Sequence, residues 1–269
     1  MKELHFKYRL HSSFSFPVTE HSFSLRCFPL SNEIQRITIL KKEIIPVDWV
    51  SEGRDSFGNE YIYGKKSDAH TEFLVQVEGT ACISRGEGEG MSKTSSFLRC
   101  YPTELTLCSK EMKELAQSLR RKWYRDEKTP QDFKGMLFEL MQWIYDRMEY
   151  VPGSTGIHTT AGEAFSQRKG VCQDYAHIMI AICRFLSIPA CYVTGFMSGE
   201  GASHAWVAAA DIRENCWYEI DPTNNRWVDE NYIMVSSGLD ASDCIMNRGI
   251  YRGASAEKQE VTVIVEETI

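Results

Sequence analysis

The sequence predicts an α+β fold, with an N-terminal β-sandwich-like domain followed by a core of helices packed on an antiparallel sheet. Three observations support this prediction. Residues 1–107 contain segments that alternate apolar and polar residues between turn clusters, without a convincing helical pattern. Apolar residues then recur at helical spacing from about residue 110. Strand-like segments return between residues 190 and 221, and again near the C-terminus.

The N-terminal β domain is predicted to span residues 1–107. Alternation of apolar and polar residues is clearest in residues 4–10, 37–40 and 73–77. The segments between them, such as residues 51–55, have the composition of turns. Short strands at this spacing are typical of a β-sandwich.

The second domain is predicted to span residues 108–269, as a core of helices and strands that includes the last strand of the chain. Ser109 is a candidate N-cap for a first helix, and Pro130 a candidate first-turn residue for a second. Thr160 and Glu163 have the spacing of a capping box for a third, short helix. The apolar faces of the two longer helices consist of Met112, Leu115, Ala116, Leu119 and Trp123, and of Phe133, Leu137, Leu140, Met141, Ile144 and Met148.

A fourth helix is predicted to begin at Cys172 and to end before Pro189. Its apolar face consists of Tyr175, Ile178, Met179, Ile182 and Leu186. Three strands follow, at residues 190–197, 204–210 and 216–221, and a last strand covers residues 261–265.

The composition narrows the classes of function. The chain has 269 residues, and its 37 acidic and 30 basic residues give a formal net charge of -7. Nucleic acids and anionic membranes need a basic surface, so neither is an expected partner. The N-terminus has no apolar signal core, which predicts a cytoplasmic location. The nine cysteines include no Cys-x-x-Cys pair, so we expect neither a disulfide framework nor a metal site, and no cofactor.

Three residues in successive elements have the chemistry of a cysteine-dependent enzyme. Cys172 is expected in the first turn of its helix, two residues after Gly170. Free N–H groups and aligned peptide dipoles at a helix N-terminus favour the thiolate form that a cysteine nucleophile needs. The same N–H groups can hold a developing oxyanion. His204 begins the second of the three strands and Asp221 ends the third, so both can lie near one end of a sheet.

A hairpin register supports the pairing of His204 with Asp221. If residues 204–210 and 215–221 form an antiparallel hairpin that turns at Ile212-Arg213, His204 lies directly opposite Asp221. Opposed side chains share a face and are about 5 Å apart. A shift of one residue would separate the pair onto opposite faces.

Each of the three residues also has a simpler interpretation. A buried cysteine is common, a histidine at a strand end is usually structural, and Asp221-Pro222 is an ordinary turn start. The combination of all three, on a helix start and two adjoining strands, favours a catalytic triad.

The segments around these residues resemble the transglutaminase-like superfamily, whose members have a papain-like fold. Residues 170–176 (GVCQDYA) resemble its cysteine motif, 204–207 (HAWV) its histidine motif and 217–223 (WYEIDPT) its aspartate motif. Residues 238–251 resemble the tail of bacterial members, which also carry an N-terminal β domain. The likeness is specific from about residue 158 to residue 253 and is architectural before that.

The resemblance implies acyl-enzyme chemistry on peptide or carboxamide bonds. Cys172 would be the nucleophile, His204 the general base and acid, and Asp221 the residue that orients the histidine. Water or an amine would resolve the thioester, so the chain is expected to be a cysteine protease, an amidase or a protein-glutamine acyltransferase. The expected partners are a peptide or protein substrate and, in the transferase case, an amine acceptor. Gln173, through its backbone N–H, and Trp143 are candidate second donors to the oxyanion.

Two other classes of protein stay open at this point. One is a catalytically silent module that holds a peptide in a papain-like cleft, which the presence of all three reactive residues disfavours. The other is a β-sandwich adhesion protein with an incidental helical half.

His177 lies five residues after Cys172, off its helix face, and is expected to be structural.

Overall fold

The computed structural model describes residues 1–85, 98–125 and 129–268. The strands in these ranges are β1 (Lys2–Leu25), β2 (Gln35–Ile45), β3 (Trp49–Arg54), β4 (Glu60–Lys66), β5 (His70–Ile83), β6 (Glu149–Tyr150), β7 (Lys169–Gly170), β8 (Ala190–Met197), β9 (Ser203–Asp211), β10 (Cys216–Asp221), β11 (Arg226–Trp227), β12 (Tyr232–Gly238), β13 (Asn247–Arg252) and β14 (Glu257–Glu267). The helices are α1 (Lys110–Trp123), α2 (Phe133–Arg147), α3 (Ala161–Gln167) and α4 (Cys172–Phe185).

The N-terminal sheet is built around β1, which is 24 residues long. Residues 2–14 of this strand pair with β5 and β14, whereas residues 19–25 pair with β4 and β13. The change of partners along one strand makes a strongly curled antiparallel sheet with the order β2-β5-β1-β4-β3. Alternate residues of β1 are buried inside it, as the sequence pattern predicts: Leu4, Phe6, Tyr8 and Leu10.

The central sheet has the order β11-β10-β9-β8-β12, and its neighbouring strands are antiparallel. Helix α4 packs on it, so that Ile178 and Ile182 share a core with Val207 and Ala209 of β9. The other end of β8 reaches the N-terminal sheet, where the ring of Phe196 stacks on Tyr8 at 5.6 Å between centroids. The predicted fold class, α+β with an N-terminal β region and helices packed on an antiparallel sheet, is confirmed.

The last strand belongs to the N-terminal sheet and not to the second domain, in which the sequence prediction placed it. β14 pairs with residues 4–14 of β1, and β13 pairs with residues 19–25 of the same strand. Val263 and Val265 are buried among the apolar residues of that sheet. Alternation identified this segment as a strand, but alternation does not reveal which distant strand will pair with it. The domain boundary at residues 107 and 108 stays a prediction.

The helix starts show which local signals are reliable in this chain. Ser109 caps α1 by accepting a hydrogen bond from the N–H of Met112, and Thr160 and Glu163 form the predicted capping box of α3. α2 begins at Phe133, later than Pro130 indicated, because Asp132 accepts from the N–H of Gly135 and acts as its cap.

Gly195 lies opposite His204 in the pairing of β8 with β9. A Cβ atom there would overlap the carbonyl oxygen of Ile233 and lie 2.6 Å from Cη2 of Trp206. We therefore expect Gly195→Ala to lower the free energy of unfolding by about 3 kcal/mol, as overpacking of a closed core does. Urea denaturation measures it. Gly156→Ala is the control, since nothing lies within 4 Å of its added Cβ, and an equal loss in both variants would contradict this account.

Candidate active site

Cys172 is the first residue of α4, as predicted. The carboxylate of Asp174 accepts hydrogen bonds from the N–H of Val171 at 2.8 Å and from Thr155 Oγ1 at 2.6 Å, and so fixes the start of the helix. Asp174 also explains the glycine before the cysteine, because a Cβ at Gly170 would lie 2.6 Å from the Asp174 Cβ. The Cys172 side chain is half-buried at this rigid helix start.

His204 and Asp221 form a buried hydrogen bond. His204 Nε2 lies 2.8 Å from Asp221 Oδ2, and both side chains have no exposed surface. With Nε2 donating to the carboxylate, Nδ1 is the nitrogen left for another group. Nδ1 is buried and has no hydrogen-bond partner among the described residues, with Glu200 Oε1 at 4.0 Å. The structure thus brings together the predicted histidine and aspartate, and leaves one imidazole nitrogen open.

The protonation of this pair follows from its surroundings. Burial lowers the pKa of His204, but the hydrogen bond to Asp221 and the charges of Asp221 and Cys172 outweigh it and raise that pKa to about 10. Cys172 therefore lies near the ring, although its sulfur forms no hydrogen bond to Nδ1. Burial raises the pKa of Asp221, but hydrogen bonds from His204, Asn224 and Tyr232 hold it below the usual range.

The predicted hairpin register is wrong by two residues. Asp221 would lie opposite Trp206, because the observed pairing joins Ile220 to Val207 and Cys216 to Asp211. The connecting turn covers residues 212–215 and is centred one residue later than the predicted Ile212-Arg213. A shift of two residues keeps the same face, so His204 still meets Asp221 along the diagonal of the sheet.

Asp221 holds more partners than the sequence indicates. Tyr232 Oη and Asn224 Nδ2 each donate to its Oδ2 at 2.8 Å, and the N–H of Thr223 donates to Oδ1 at 2.9 Å. Arg226 Nε donates in turn to Tyr232 Oη at 2.7 Å. The turn chemistry of Asp-Pro-Thr-Asn could have indicated the Thr223 and Asn224 contacts, but no sequence signal indicates Tyr232, which comes from another strand.

We expect Tyr232→Phe to lower the free energy of unfolding by about 2 kcal/mol, because it removes a buried hydrogen bond to a charged carboxylate. The reaction rate should also fall by roughly tenfold, since Asp221 and the ring that it orients become less well fixed. Urea denaturation and substrate turnover measure the two effects. Tyr63→Phe is a matched control on an exposed tyrosine, and equal behaviour of the two variants would exclude an orienting role for Tyr232.

A second buried group of residues lies next to the His204 ring, and no sequence signal indicated it. Trp206 Nε1 donates to Glu219 Oε2 at 2.7 Å, while Arg85 lies 3.0 Å from Glu219 Oε1. Paired in this way, the buried carboxylate and guanidinium hold the indole in place. The Trp206 ring lies nearly parallel to the His204 ring, at 6.4 Å between centroids.

The two candidate oxyanion donors lie in different places. Gln173 follows Cys172 in the first turn of α4, and its side chain donates to the carbonyl of Gly156 at 3.3 Å. The backbone N–H of Gln173 is therefore the group that could donate to an oxyanion. Trp143 stacks on Phe165 at 5.3 Å between centroids and packs against the helical core. The geometry gives Trp143 no described contact with Cys172.

His177 is fully buried, and its Nε2 accepts a hydrogen bond from the N–H of Ala241 at 3.1 Å. Burial lowers the pKa of His177 to about 4, so its ring is neutral at physiological pH. This contact ties α4 to the turn after β12, as expected for a structural residue.

An open cavity of about 610 Å³ lies beside these residues. Its walls include Tyr150, Glu200 and Asn224, and Asn224 is a hydrogen-bond partner of Asp221.

No group of three or more potential metal-ligating side chains occurs in the described part of the chain. None of the helices within residues 1–85, 98–125 and 129–268 is both long and apolar enough to cross a membrane.

This fold and site define a papain-like arrangement of a helix-start cysteine beside a sheet-borne histidine and aspartate. Residues 117–228 match the sequence model of the transglutaminase-like superfamily, so this part of the chain is similar to that superfamily.

Two relatives are similar to less than half of this chain, and their names state no activity. Uncharacterized protein ML0607 of Mycobacterium leprae (strain TN) is 36% identical over 132 residues, which cover 45% of this chain and 46% of the relative. Uncharacterized protein Rv2569c of Mycobacterium tuberculosis (strain ATCC 25618 / H37Rv) is 36% identical over 129 residues, covering 43% and 41%. The chain thus spans less than half the length of these curated relatives.

The fold of nearly the whole chain is also seen in a solved structure. The crystal structure of a "Putative Cysteine Protease from Cytophaga hutchinsonii" has a TM-score of 0.75 and 22% sequence identity, and it covers 99% of this chain and 91% of that one. At this identity the similarity establishes the fold, including the N-terminal β region.

Proposed function

We propose that this chain is a cysteine-dependent hydrolase of peptide or carboxamide bonds that works through an acyl-enzyme. Cys172 is the nucleophile, His204 the general acid and base, and Asp221 the residue that orients the imidazole. The observation that carries the proposal is the buried bond from His204 Nε2 to Asp221, which leaves Nδ1 for Cys172.

Acylation uses the proton that His204 holds. The Cys172 thiolate attacks the carbonyl carbon and forms a C–S bond, while the carbonyl oxygen takes up negative charge. The backbone N–H groups of Cys172 and Gln173, at the start of α4, are suited to stabilise that oxyanion, because the first N–H groups of a helix have no intrahelical acceptor. The C–N bond then breaks, and the His204 imidazolium gives its proton to the leaving amine.

Deacylation reverses the role of the histidine. Neutral His204 takes a proton from water as the water oxygen attacks the thioester carbonyl, the C–S bond breaks, and the acid leaves with Cys172 restored as thiolate. An amine can replace water and give transamidation. Water is abundant and needs no binding site, whereas an amine must be held to compete, so we propose hydrolysis at least as readily as transfer.

The test is turnover of a panel of peptides and glutamine carboxamides, with and without an added amine. Wild type is compared with Cys172→Ala, and with Cys82→Ala, which removes another half-buried cysteine. Release of amine by wild type and Cys82→Ala only would support the proposal. Binding of peptides without turnover, unchanged in Cys172→Ala, would favour a catalytically silent peptide-binding module instead.

A further inference from the structure

Arg226 lies directly opposite Asp221 in the pairing of β10 with β11. Directly opposed residues share one face of a sheet, with their Cβ atoms about 5 Å apart. The chain makes this pairing through the turn of residues 222–225, which ends in Asn225 with a left-handed φ of 51°. Among the described residues, Asp221 nevertheless forms its ion pair with His204 and not with this guanidinium. The cation beside the aspartate therefore has another partner.

That partner is the hydroxyl of Tyr232, which lies between the two charges. Arg226 Nε donates to Tyr232 Oη at 2.7 Å, and Tyr232 Oη donates to Asp221 Oδ2 at 2.8 Å. Burial and the charge of Asp221 raise the pKa of Tyr232, so the hydroxyl keeps its proton. A guanidinium has donors and no acceptor, so that single proton must point toward Asp221. Arg226 thus fixes the direction of the hydroxyl.

Neutral groups hold the guanidinium in this position. Its Nη2 donates to Met197 Sδ at 3.0 Å, and its Cζ lies 5.1 Å from the centroid of the Tyr232 ring. Met197 is the partner of Tyr232 in the pairing of β8 with β12, so the sheet fixes both contacts. Burial lowers the pKa of Arg226, but the hydrogen bond to Tyr232 and the charges nearby outweigh it and raise that pKa. Those charges include Asp229 and Asp221, so the guanidinium and the buried aspartate act on each other.

Asp221 Oδ2 divides its negative charge among three donors. His204 Nε2, Tyr232 Oη and Asn224 Nδ2 each lie 2.8 Å from this oxygen. Hydrogen bonds in a chain polarise one another, so a hydroxyl that accepts from a guanidinium is a stronger donor. The stronger this donation, the less negative charge is left to hold the proton of the His204 ring. Arg226 thereby opposes the effect of Asp221, and the imidazolium becomes a better acid toward the leaving amine.

We propose that Arg226 is a positioning residue of the active site that acts through Tyr232. Its guanidinium directs the Tyr232 hydroxyl to Asp221, and that hydroxyl fixes the carboxylate and withdraws charge from its contact with His204. The inference rests on the proposed function, since it concerns the proton that His204 gives to the leaving amine.

Three other charged groups reach the His204 ring. Cys172 begins α4, Glu200 lies before β9 with its Oε1 4.0 Å from Nδ1, and Asp221 ends β10. All three favour the protonated ring when they are ionised, whereas the positive charge of Arg226 disfavours it. Removal of Arg226 should therefore favour protonated His204. A ring that had merely lost its contact with Asp221 would change in the opposite direction, so the sign of the change separates the two cases.

The first test needs no substrate. The full chain is labelled with ¹⁵N-histidine and titrated by NMR, and the His204 signals are identified by their absence from His204→Gln. At pH 10, the ratio of protonated to neutral His204 should be about three- to fivefold higher in Arg226→Met than in wild type.

Tyr232→Phe supplies the second comparison, because phenylalanine offers the guanidinium no acceptor and Asp221 no donor. In that background, Arg226→Met should change the ratio by less than about twofold, since the residue through which Arg226 acts is already lost. Arg226→Lys keeps a positive charge and a donor, and should return the ratio toward the wild-type value.

Arg213→Met is the matched control, since Arg213 lies in the turn at the other end of the β9–β10 hairpin, 3.6 Å from Asp211. It should leave the ratio at the wild-type value. A ratio that Arg226→Met leaves unchanged or lowers, or raises equally in both backgrounds, would overturn the inference. A ratio as high in Arg226→Lys as in Arg226→Met would do the same.

Turnover gives the second test. With the best substrate of the panel, Arg226→Met should lower kcat about threefold and leave KM unchanged, because the substitution affects the acid and not the contacts with substrate. An unchanged kcat would contradict a role in proton transfer. Failure of the hydrolase itself would appear separately, as turnover that survives Cys172→Ala, and the titration of His204 does not depend on it.

Discussion

Replacement of Cys172 by alanine should lower kcat/KM for any peptide or carboxamide substrate by about 10⁴-fold or more, since removal of the attacking atom of a covalent route leaves only binding and oxyanion contacts. The loss should be the same in kcat and in kcat/KM, because substrate binding does not need the sulfur. Steady-state turnover of the best substrate from the panel measures it.

Two controls make this result specific. Alanine is favourable in a helix, so the free energy of unfolding of the variant, measured by urea denaturation, should lie within about 0.5 kcal/mol of the wild-type value. Cys172→Ser keeps the shape of the side chain and should be nearly as inactive as alanine, because a serine hydroxyl is not ionised beside His204. Substantial activity in either variant would remove Cys172 from the mechanism.

Replacement of Asp221 by asparagine should have the second largest effect. Asp221 raises the pKa of His204, and its loss should lower that pKa from about 10. Acylation needs the protonated ring, so activity falls as pH rises through the pKa of His204, and the alkaline limb of the pH profile should move to lower pH in Asp221→Asn. We also expect roughly a 10²-fold slower reaction at neutral pH, from the poorly held ring.

The pH profile of kcat/KM in the two proteins tests this directly. Asp211→Asn is the control, since that buried carboxylate caps the turn after β9 and does not touch His204. An alkaline limb at the same pH in wild type and Asp221→Asn would mean that the observed limb does not belong to His204.

Local signals in the sequence predicted most of the elements that carry the site. α4 begins at Cys172 because the apolar period begins there, and β8 and β10 have the predicted bounds. Ser109 and Thr160 identified the starts of α1 and α3 through capping, a property of a few adjacent residues. Each of these signals depends on neighbours in the chain.

Contacts between distant parts of the chain were harder to predict. The hairpin turn of residues 212–215 ends in Asn215, whose φ of 51° is left-handed, and the register moved by two residues. The contact between His204 and Asp221 is still formed at the shifted register, because side-chain faces repeat every two residues. Tyr232, Arg85 and the pairing of β14 with β1 had no comparable signal, because their partners lie elsewhere in the sequence.

The N-terminal sheet contributes to the site through a structural connection that the domain prediction did not contain. β14 pairs with β1 in this sheet, and the N–H of its Val263 donates to the carbonyl of Gly201 in the loop that carries Glu200.

The central claim is that His204 and Asp221 activate Cys172. Its most direct test is the rate at which iodoacetamide alkylates each cysteine at neutral pH, followed by mass spectrometry of the cysteine peptides. Four other cysteines are also half-buried, which gives internal references: Cys82, Cys100, Cys108 and Cys216. The account predicts that Cys172 reacts at least about tenfold faster than any of them, and that His204→Gln removes this advantage. A Cys172 that reacts no faster than the reference cysteines, or that keeps its rate in His204→Gln, would contradict the account.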